Sequence, residues 1–237
     1  MMVNIMGIVE YDGSNYYGWQ KQKDVRTVQG ELENALSLIL RRKIKLIGAS
    51  RTDRWVSAKA QVFNFRLDKK INLTELKRKL NSFLPEAINI RSLRYVVDEF
   101  DARKSARMKL YEYRIITRKS PLLRRVSWQV NLREKKISET ITILNELACL
   151  VTGKHNFRAF SKCEQEKEKT ECTIFDAQWK RSKDGFLFII KGDYFLRGMV
   201  RAIVGAMISV AKGKLQKEQF LEMLEKGEKI YNYKFAP

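Results

Sequence analysis

The stretch Ile44-Lys45-Leu46-Ile47-Gly48-Ala49-Ser50-Arg51-Thr52-Asp53-Arg54-Trp55-Val56-Ser57, with Ala60-Gln61-Val62-Phe63-Asn64-Phe65 beyond it, decides the fold. Residues 44–49 and 60–67 read as two strands with only a loop of small and polar residues between them. A helix pattern stands on either side. Upstream, Thr27 can cap a helix whose apolar face is Val28, Leu32, Ala35, Leu36 and Ile39. Downstream, Asn72 with Glu75 three residues on opens a helix carrying Leu73, Leu76, Leu80 and Leu84 on one face, and Pro85 ends it. Residues 3–11 and 88–97 read as the outer strands, with Asp12-Gly13-Ser14-Asn15 as turn chemistry after the first. The order is strand, helix, strand, strand, helix, strand, which is the split βαβ, ferredoxin-like (RRM-like) pattern.

The second half varies this theme. Residues 107–118 form a long candidate strand, alternating Leu110, Glu112 and Arg114 against Tyr111, Tyr113 and Ile115. Ile141, Leu144, Ala148 and Val151 make a helical face closed by Gly153. Residues 174–179 and 186–191 read as a hairpin around Lys183-Asp184-Gly185. Residues 196–212 are a helix stopped by Gly213, and a last helix runs from about 215 to 226. The expected class is α+β, two similar halves with antiparallel sheets: residues 1–103, carrying the Asp53 loop, and 104–237. The boundary falls near 98–104, with no low-complexity linker.

The 237 residues include 47 Lys and Arg against 27 Asp and Glu, a formal charge of +20. With 44% hydrophobic residues the chain folds, so it is no disordered basic tail. The positive charge is spread in clusters such as Lys69-Lys70, Lys77-Arg78-Lys79, Arg124-Arg125 and Lys135-Lys136. A folded chain with that excess is expected to track a phosphate backbone. Three cysteines, Cys149, Cys163 and Cys172, fit a reducing compartment without a disulfide framework. A metal site built from His155, Cys163 and Cys172 is conceivable, but their spacing fits no common zinc pattern. The lone histidine also argues against triad chemistry. No secretory signal is visible, and the apolar run 202–211 is too short to span a bilayer; the expected compartment is the cytoplasm, with no membrane partner.

Asp53 sits on the loop between two strands, with Arg51 two residues before it. Catalytic groups tend to occupy such loops. A nearby guanidinium favours the ionised carboxylate and so suits a nucleophile. Taken alone, however, the segment reads first as a surface Asx turn with an incidental arginine.

Four segments together resemble the TruA family of tRNA pseudouridine synthases. They are Tyr11-Asp12-Gly13-Ser14-Asn15-Tyr16-Tyr17-Gly18-Trp19-Gln20 with Thr27-Val28-Gln29; Arg51-Thr52-Asp53 with Val56, Ala58, Gln61 and Val62; Phe100-Asp101-Ala102-Arg103-Lys104-Ser105-Ala106 with Tyr111-Glu112-Tyr113-Arg114; and Phe195-Leu196 with Met199-Val200-Arg201 and Ile203-Val204-Gly205. They occur in family order over nearly the whole chain. The resemblance implies isomerisation of uridine to pseudouridine in the anticodon stem-loop of tRNA, at positions numbered about 38–40, with the RNA reshaped to expose its target base. It implies two ferredoxin-like halves whose sheets join around a basic cleft, no metal and no cofactor, and a homodimer.

Residue by residue, Asp53 matches the catalytic aspartate, which attacks either the sugar or the uracil ring. Arg51 or Arg201 supplies the guanidinium that keeps it ionised. Tyr111 matches the active-site tyrosine, placed to stack on uracil and to take part in removing the C5 proton. Arg103 is expected to contact RNA or shape the site, and Arg54 and Trp55 to lie on the substrate side of the loop. Trp55 stands where the family pattern has glycine, so a positive φ there would strain it. The family continues past Phe235-Ala236-Pro237 with a Gly-Leu motif and a closing strand, so either this sequence is truncated there or the second sheet lacks that edge. An RNA-binding or tRNA-folding protein on the same scaffold would share the charge; the joint presence of Asp53, Arg51, Tyr111 and Arg201 favours the enzyme.

Overall fold

The computed structural model describes residues 2–132, 137–162 and 169–237. Cys163 and the Lys135-Lys136 cluster lie outside these. The chain divides into two compact units, Met1–Ala106 and Arg107–Pro237.

The first unit contains β1 (Val3–Tyr11), α1 (Val28–Leu40), β2 (Ile47–Gly48), β3 (Ala58–Leu67), α2 (Leu73–Phe83) and β4 (Ile88–Val96). The sheet order is β2-β3-β1-β4, with every neighbouring pair antiparallel. This is the ferredoxin-like order that the alternation of strands and helices predicts. The helices start where their caps dictate: Thr27 accepts from the Gly30 amide and Asn72 from the Glu75 amide. Pleating sends Ile5, Val9, Phe63, Phe65 and Ile90 to one face, where Leu32, Leu36, Leu76 and Leu80 of the helices cover them. Each such side chain contributes roughly 1.5–3 kcal/mol relative to exposure.

Asn4 and Asn64 are buried polar residues on β1 and β3. Asn64 Nδ2 donates to Asn4 Oδ1, and both amides donate to the Phe100 carbonyl, at 3.3 and 2.7 Å. The Ala102 amide in turn donates to Asn64 Oδ1 at 2.9 Å. These bonds fix the chain after β4 and satisfy amides that burial would otherwise leave costly.

The second unit contains β5 (Lys109–Ile116), β6 (Trp128–Gln129), α3 (Ile137–Leu150), β7 (Gly153–Asn156), β8 (Glu171–Ser182), β9 (Gly185–Gly192), α4 (Met199–Ala211) and α5 (Lys217–Lys226). The sheet order is β6-β5-β9-β8-β7. Its β5-β9-β8 centre repeats the antiparallel β1-β3-β2 arrangement of the first unit. The edge of β5 away from β9 carries β6, paired in parallel at only two positions. Helix α4 begins three residues later than the apolar pattern suggests, because Gly198 adopts a left-handed conformation (φ 71°) just before it.

Candidate active site

Asp53 lies half-buried on the loop between β2 and β3. The loop has no regular structure of its own, so its shape comes from what holds it. The segment after β1 does most of this. The Trp19 amide donates to the Thr52 carbonyl at 3.2 Å, and the Trp55 amide to the Tyr16 carbonyl at 3.3 Å. Tyr11 Oη and Thr52 Oγ1 are hydrogen-bonded at 2.8 Å. The Gly13 amide donates to Ser57 Oγ at 3.0 Å, and Gln61 Nε2 donates to the Ser50 carbonyl at 2.7 Å. Tyr16 and Trp19 are fully buried beneath these contacts.

Two glycines permit the close approach. Gly18 has φ 87°, and a Cβ there would lie 2.4 Å from the Thr52 carbonyl oxygen and 3.1 Å from the Asp53 carbonyl carbon. A Cβ on Gly13 would lie 2.2 Å from the Val56 carbonyl oxygen. The Asp-Gly-Ser-Asn-Tyr-Tyr-Gly-Trp run is therefore a clamp for the aspartate loop. Its motif was legible in the sequence; its mechanical purpose was not, because nothing in a linear pattern shows two loops crossing.

The Val56 amide closes a turn onto the Asp53 carbonyl at 3.2 Å. Trp55 holds the third position of that turn with φ 68°. Glycine or asparagine ordinarily takes such a position, and a bulky side chain there stores roughly 1–3 kcal/mol of strain. The expected conflict between tryptophan and backbone is thus present. Trp55 is nevertheless 61% exposed. The Arg54 guanidinium lies 4.2 Å from the Trp55 ring centroid and 4.1 Å from that of Tyr17. Tyr17, part of the first motif quoted above, is exposed and belongs to this group.

Arg51 is exposed on the approach to Asp53. Arg103 is exposed on the segment held by Asn4 and Asn64, in a turn where Asp101 Oδ1 accepts from the Arg103 and Lys104 amides, both at 2.9 Å. Arg51, Asp53, Arg54 and Trp55 therefore share one loop, and Arg103 belongs to the same unit on a separate segment.

The other two candidates belong to the second unit. Tyr111, half-buried on β5, meets Phe195 edge-on with centroids 4.9 Å apart. Arg201, half-buried on α4, donates from Nε to the Ala236 carbonyl at 2.8 Å, and its own carbonyl accepts from the Ala236 amide at 3.0 Å. Arg201 thus also ties down the last residues of the chain, a role its isolated charge on an apolar helix did not announce. Tyr113 Oη donates to the Pro237 carbonyl at 2.8 Å. Burial raises the Tyr113 phenol well above its usual range, against a smaller opposing effect of the Arg201 charge, so the hydroxyl remains a donor.

His155 and Cys172 are opposite each other on β7 and β8, and the His155 ring bonds the Thr152 carbonyl. Among the described residues no group of three or more His, Cys, Asp or Glu is placed to hold a metal ion.

A family model described as tRNA pseudouridine synthase matches residues 8–103 and 147–237. The chain is 39% identical over 227 residues to tRNA pseudouridine synthase A of Chlorobium phaeovibrioides (strain DSM 265 / 1930), covering 95% of this chain and 91% of that protein. It is 37% identical over 230 residues to tRNA pseudouridine synthase A of Thermoanaerobacter sp. (strain X514), covering 94% and 91%. The aspartate loop and the clamp that shapes it fall within the first matched region, and Arg201 within the second. On that breadth of similarity, the chain belongs to the tRNA pseudouridine synthase family.

Proposed function

We propose that the protein isomerises uridine to pseudouridine in the anticodon stem-loop of tRNA, at positions numbered about 38–40, with Asp53 as the nucleophile. The observation that supports the assignment most directly is the clamp around Asp53. Several long-range hydrogen bonds and two tight glycine contacts hold a loop whose one carboxylate is half-buried between solvent and core. A mere surface turn needs no such scaffold.

The reaction breaks the bond between the ribose C1′ and uracil N1 and joins C1′ to C5 of the same base. C5 loses a proton and N1 gains one, so nothing is consumed and no redox partner enters. A carboxylate can serve by attack at the sugar or at the ring. In this reading Arg51 or Arg201 favours the ionised carboxylate, Tyr111 stacks on uracil and takes part in moving the C5 proton, and Arg54, Trp55 and Arg103 contact RNA. Residues 1–103 form the domain that carries the nucleophile and residues 104–237 the domain that carries Tyr111 and Arg201. The protein works in the cytoplasm as a homodimer; no helix among the described residues is long and apolar enough to cross a membrane.

Asp53→Asn tests the core of this reading. The amide keeps the shape of the side chain but cannot form the covalent intermediate. With unmodified tRNA, pseudouridine mapping should find product for the wild type and none for the variant, while tRNA affinity stays within a few-fold because phosphate contacts dominate it. Turnover near wild type in Asp53→Asn would remove Asp53 from the chemistry. Sedimentation at micromolar concentration tests the homodimer.

A further inference from the structure

Trp55 combines three properties that rarely coincide. It occupies a left-handed backbone position, it is 61% exposed, and its ring lies against a guanidinium that also lies against a second exposed aromatic ring. The strain alone would favour a small residue, and the exposure alone would favour a polar one. Neither folding nor solubility explains tryptophan here.

We infer that Tyr17, Arg54 and Trp55 form a preassembled stack that receives one unpaired nucleobase of the tRNA on the exposed indole of Trp55. The inference deepens the proposed function and rests on it for the identity of the RNA. The chemistry is that of single-stranded nucleic acid sites, where aromatic faces stack on bases and arginine adds cation–π attraction and a phosphate contact. Arg54, which also lies over the Tyr17 ring, packs against the Trp55 ring, so the indole loses little freedom when a base arrives. The backbone contributes as well: the Trp55 amide donates to the carbonyl of Tyr16, next in the chain to Tyr17, which ties together the two segments that carry the rings. Trp55 lies two residues beyond Asp53, so the base it takes belongs to the RNA immediately around the target uridine and is distinct from the uridine undergoing reaction.

Three measurements on the full chain test this: affinity for unmodified tRNA, affinity for a fully paired RNA duplex at the same salt, and tryptophan fluorescence during both titrations. Trp19 and Trp179 are buried and Trp128 is half-buried, so Trp55 is the indole open to a stacking base. In the wild type, tRNA should quench the fluorescence and the duplex should not. Trp55→Leu should abolish the quenching and raise the Kd for tRNA by about 5- to 150-fold, the range expected for losing one base stack, with duplex affinity changed less than about threefold. Trp55→Phe should stay within a few-fold of wild type. Tyr17→Leu should weaken tRNA binding by about two- to tenfold by releasing Arg54; no change would remove Tyr17 from the stack. Equal losses on tRNA and duplex, or unchanged tRNA affinity in Trp55→Leu, would overturn the inference and leave Trp55 a strut of the loop. A melting temperature raised by Trp55→Gly with tRNA affinity intact would overturn it too. Pseudouridine formation by the wild type, followed in parallel, separates the two readings. Selective loss of tRNA binding without any turnover would sink the isomerase and support the stack; turnover without selective loss would sink the stack alone.

Discussion

At the scale of single residues, the geometry of the aspartate loop depends on atoms that are missing as much as on those present. Gly18→Ala would bring a Cβ to 2.4 Å from the Thr52 carbonyl oxygen, at a backbone angle that alanine avoids. Backbone cannot yield as a side-chain tip can, so the loop must shift. The substitution should destabilise the first unit by about 2 kcal/mol or more and cut turnover further than tRNA affinity; thermal melting and single-turnover rates check this. A neutral Gly18→Ala would show that the clamp does not set the loop. Tyr111→Phe asks a different question. Its ring already packs edge-on against Phe195, so phenylalanine preserves both packing and any stacking face and removes only the hydroxyl. Turnover should fall while the Kd for tRNA stays within a few-fold. A fully active variant would confine Tyr111 to stacking.

At the scale of elements, what the sequence disclosed and what it hid divide along contact range. Helices α1 and α2 were legible because caps and apolar faces are local: Thr27 and Asn72 are bonded to amides three residues on. β1, β3, β4 and the β8–β9 hairpin were legible for the same reason, through alternation and turn residues. β6 and β7 were not. Their two and four residues carry no pattern of their own and become strands only because β5 and β8 offer edges. Likewise the run at 44–49 contributes only Ile47 and Gly48 to the sheet, and Gly48 packs so close to the Trp19 ring that a Cβ there would lie 2.4 Å from its Nε1. For the site, the motifs name the candidate residues and their place on the loop, whereas the clamp and the exposure of Tyr17 required the fold. The Asn4–Asn64 pair is a further element-scale device that no local pattern announces. Asn64→Ala should leave the Ala102 amide and Asn4 Oδ1 without their present partners, costing about 1–3 kcal/mol. Because it also loosens the segment bearing Arg103, tRNA affinity should drop slightly. Urea denaturation with a parallel binding titration measures both; a stability unchanged from wild type would mean that the segment is held from elsewhere.

At the scale of the whole molecule, the excess of 47 basic over 27 acidic residues is the dominant fact. Ion pairing cannot relieve it. Pairs such as Lys79–Glu75, Arg118–Asp184 and Lys226–Glu222 each remove one charge of either sign and leave the difference of 20 untouched. These pairs are exposed in the main and worth little to stability. Self-repulsion of the remainder weakens the compact state, and binding a polyanion relieves it. On tRNA each phosphate neutralised by Lys or Arg releases counterions, and log Kd rises with log salt in proportion to the number of such contacts. A surface of this charge that engages even six phosphates should lose roughly a thousandfold in tRNA affinity between 50 and 200 mM salt. The Trp55 stack, which involves a base face, should contribute to affinity without steepening that slope, so Trp55→Leu should displace the line and leave its gradient. Removing one exposed arginine that contacts phosphate, with Arg103 as the first to try, should instead reduce the gradient by about one. Filter binding across four or five salt concentrations distinguishes the two behaviours. A flat dependence in the wild type would assign the charge to solubility and take away the electrostatic support for tRNA as the partner.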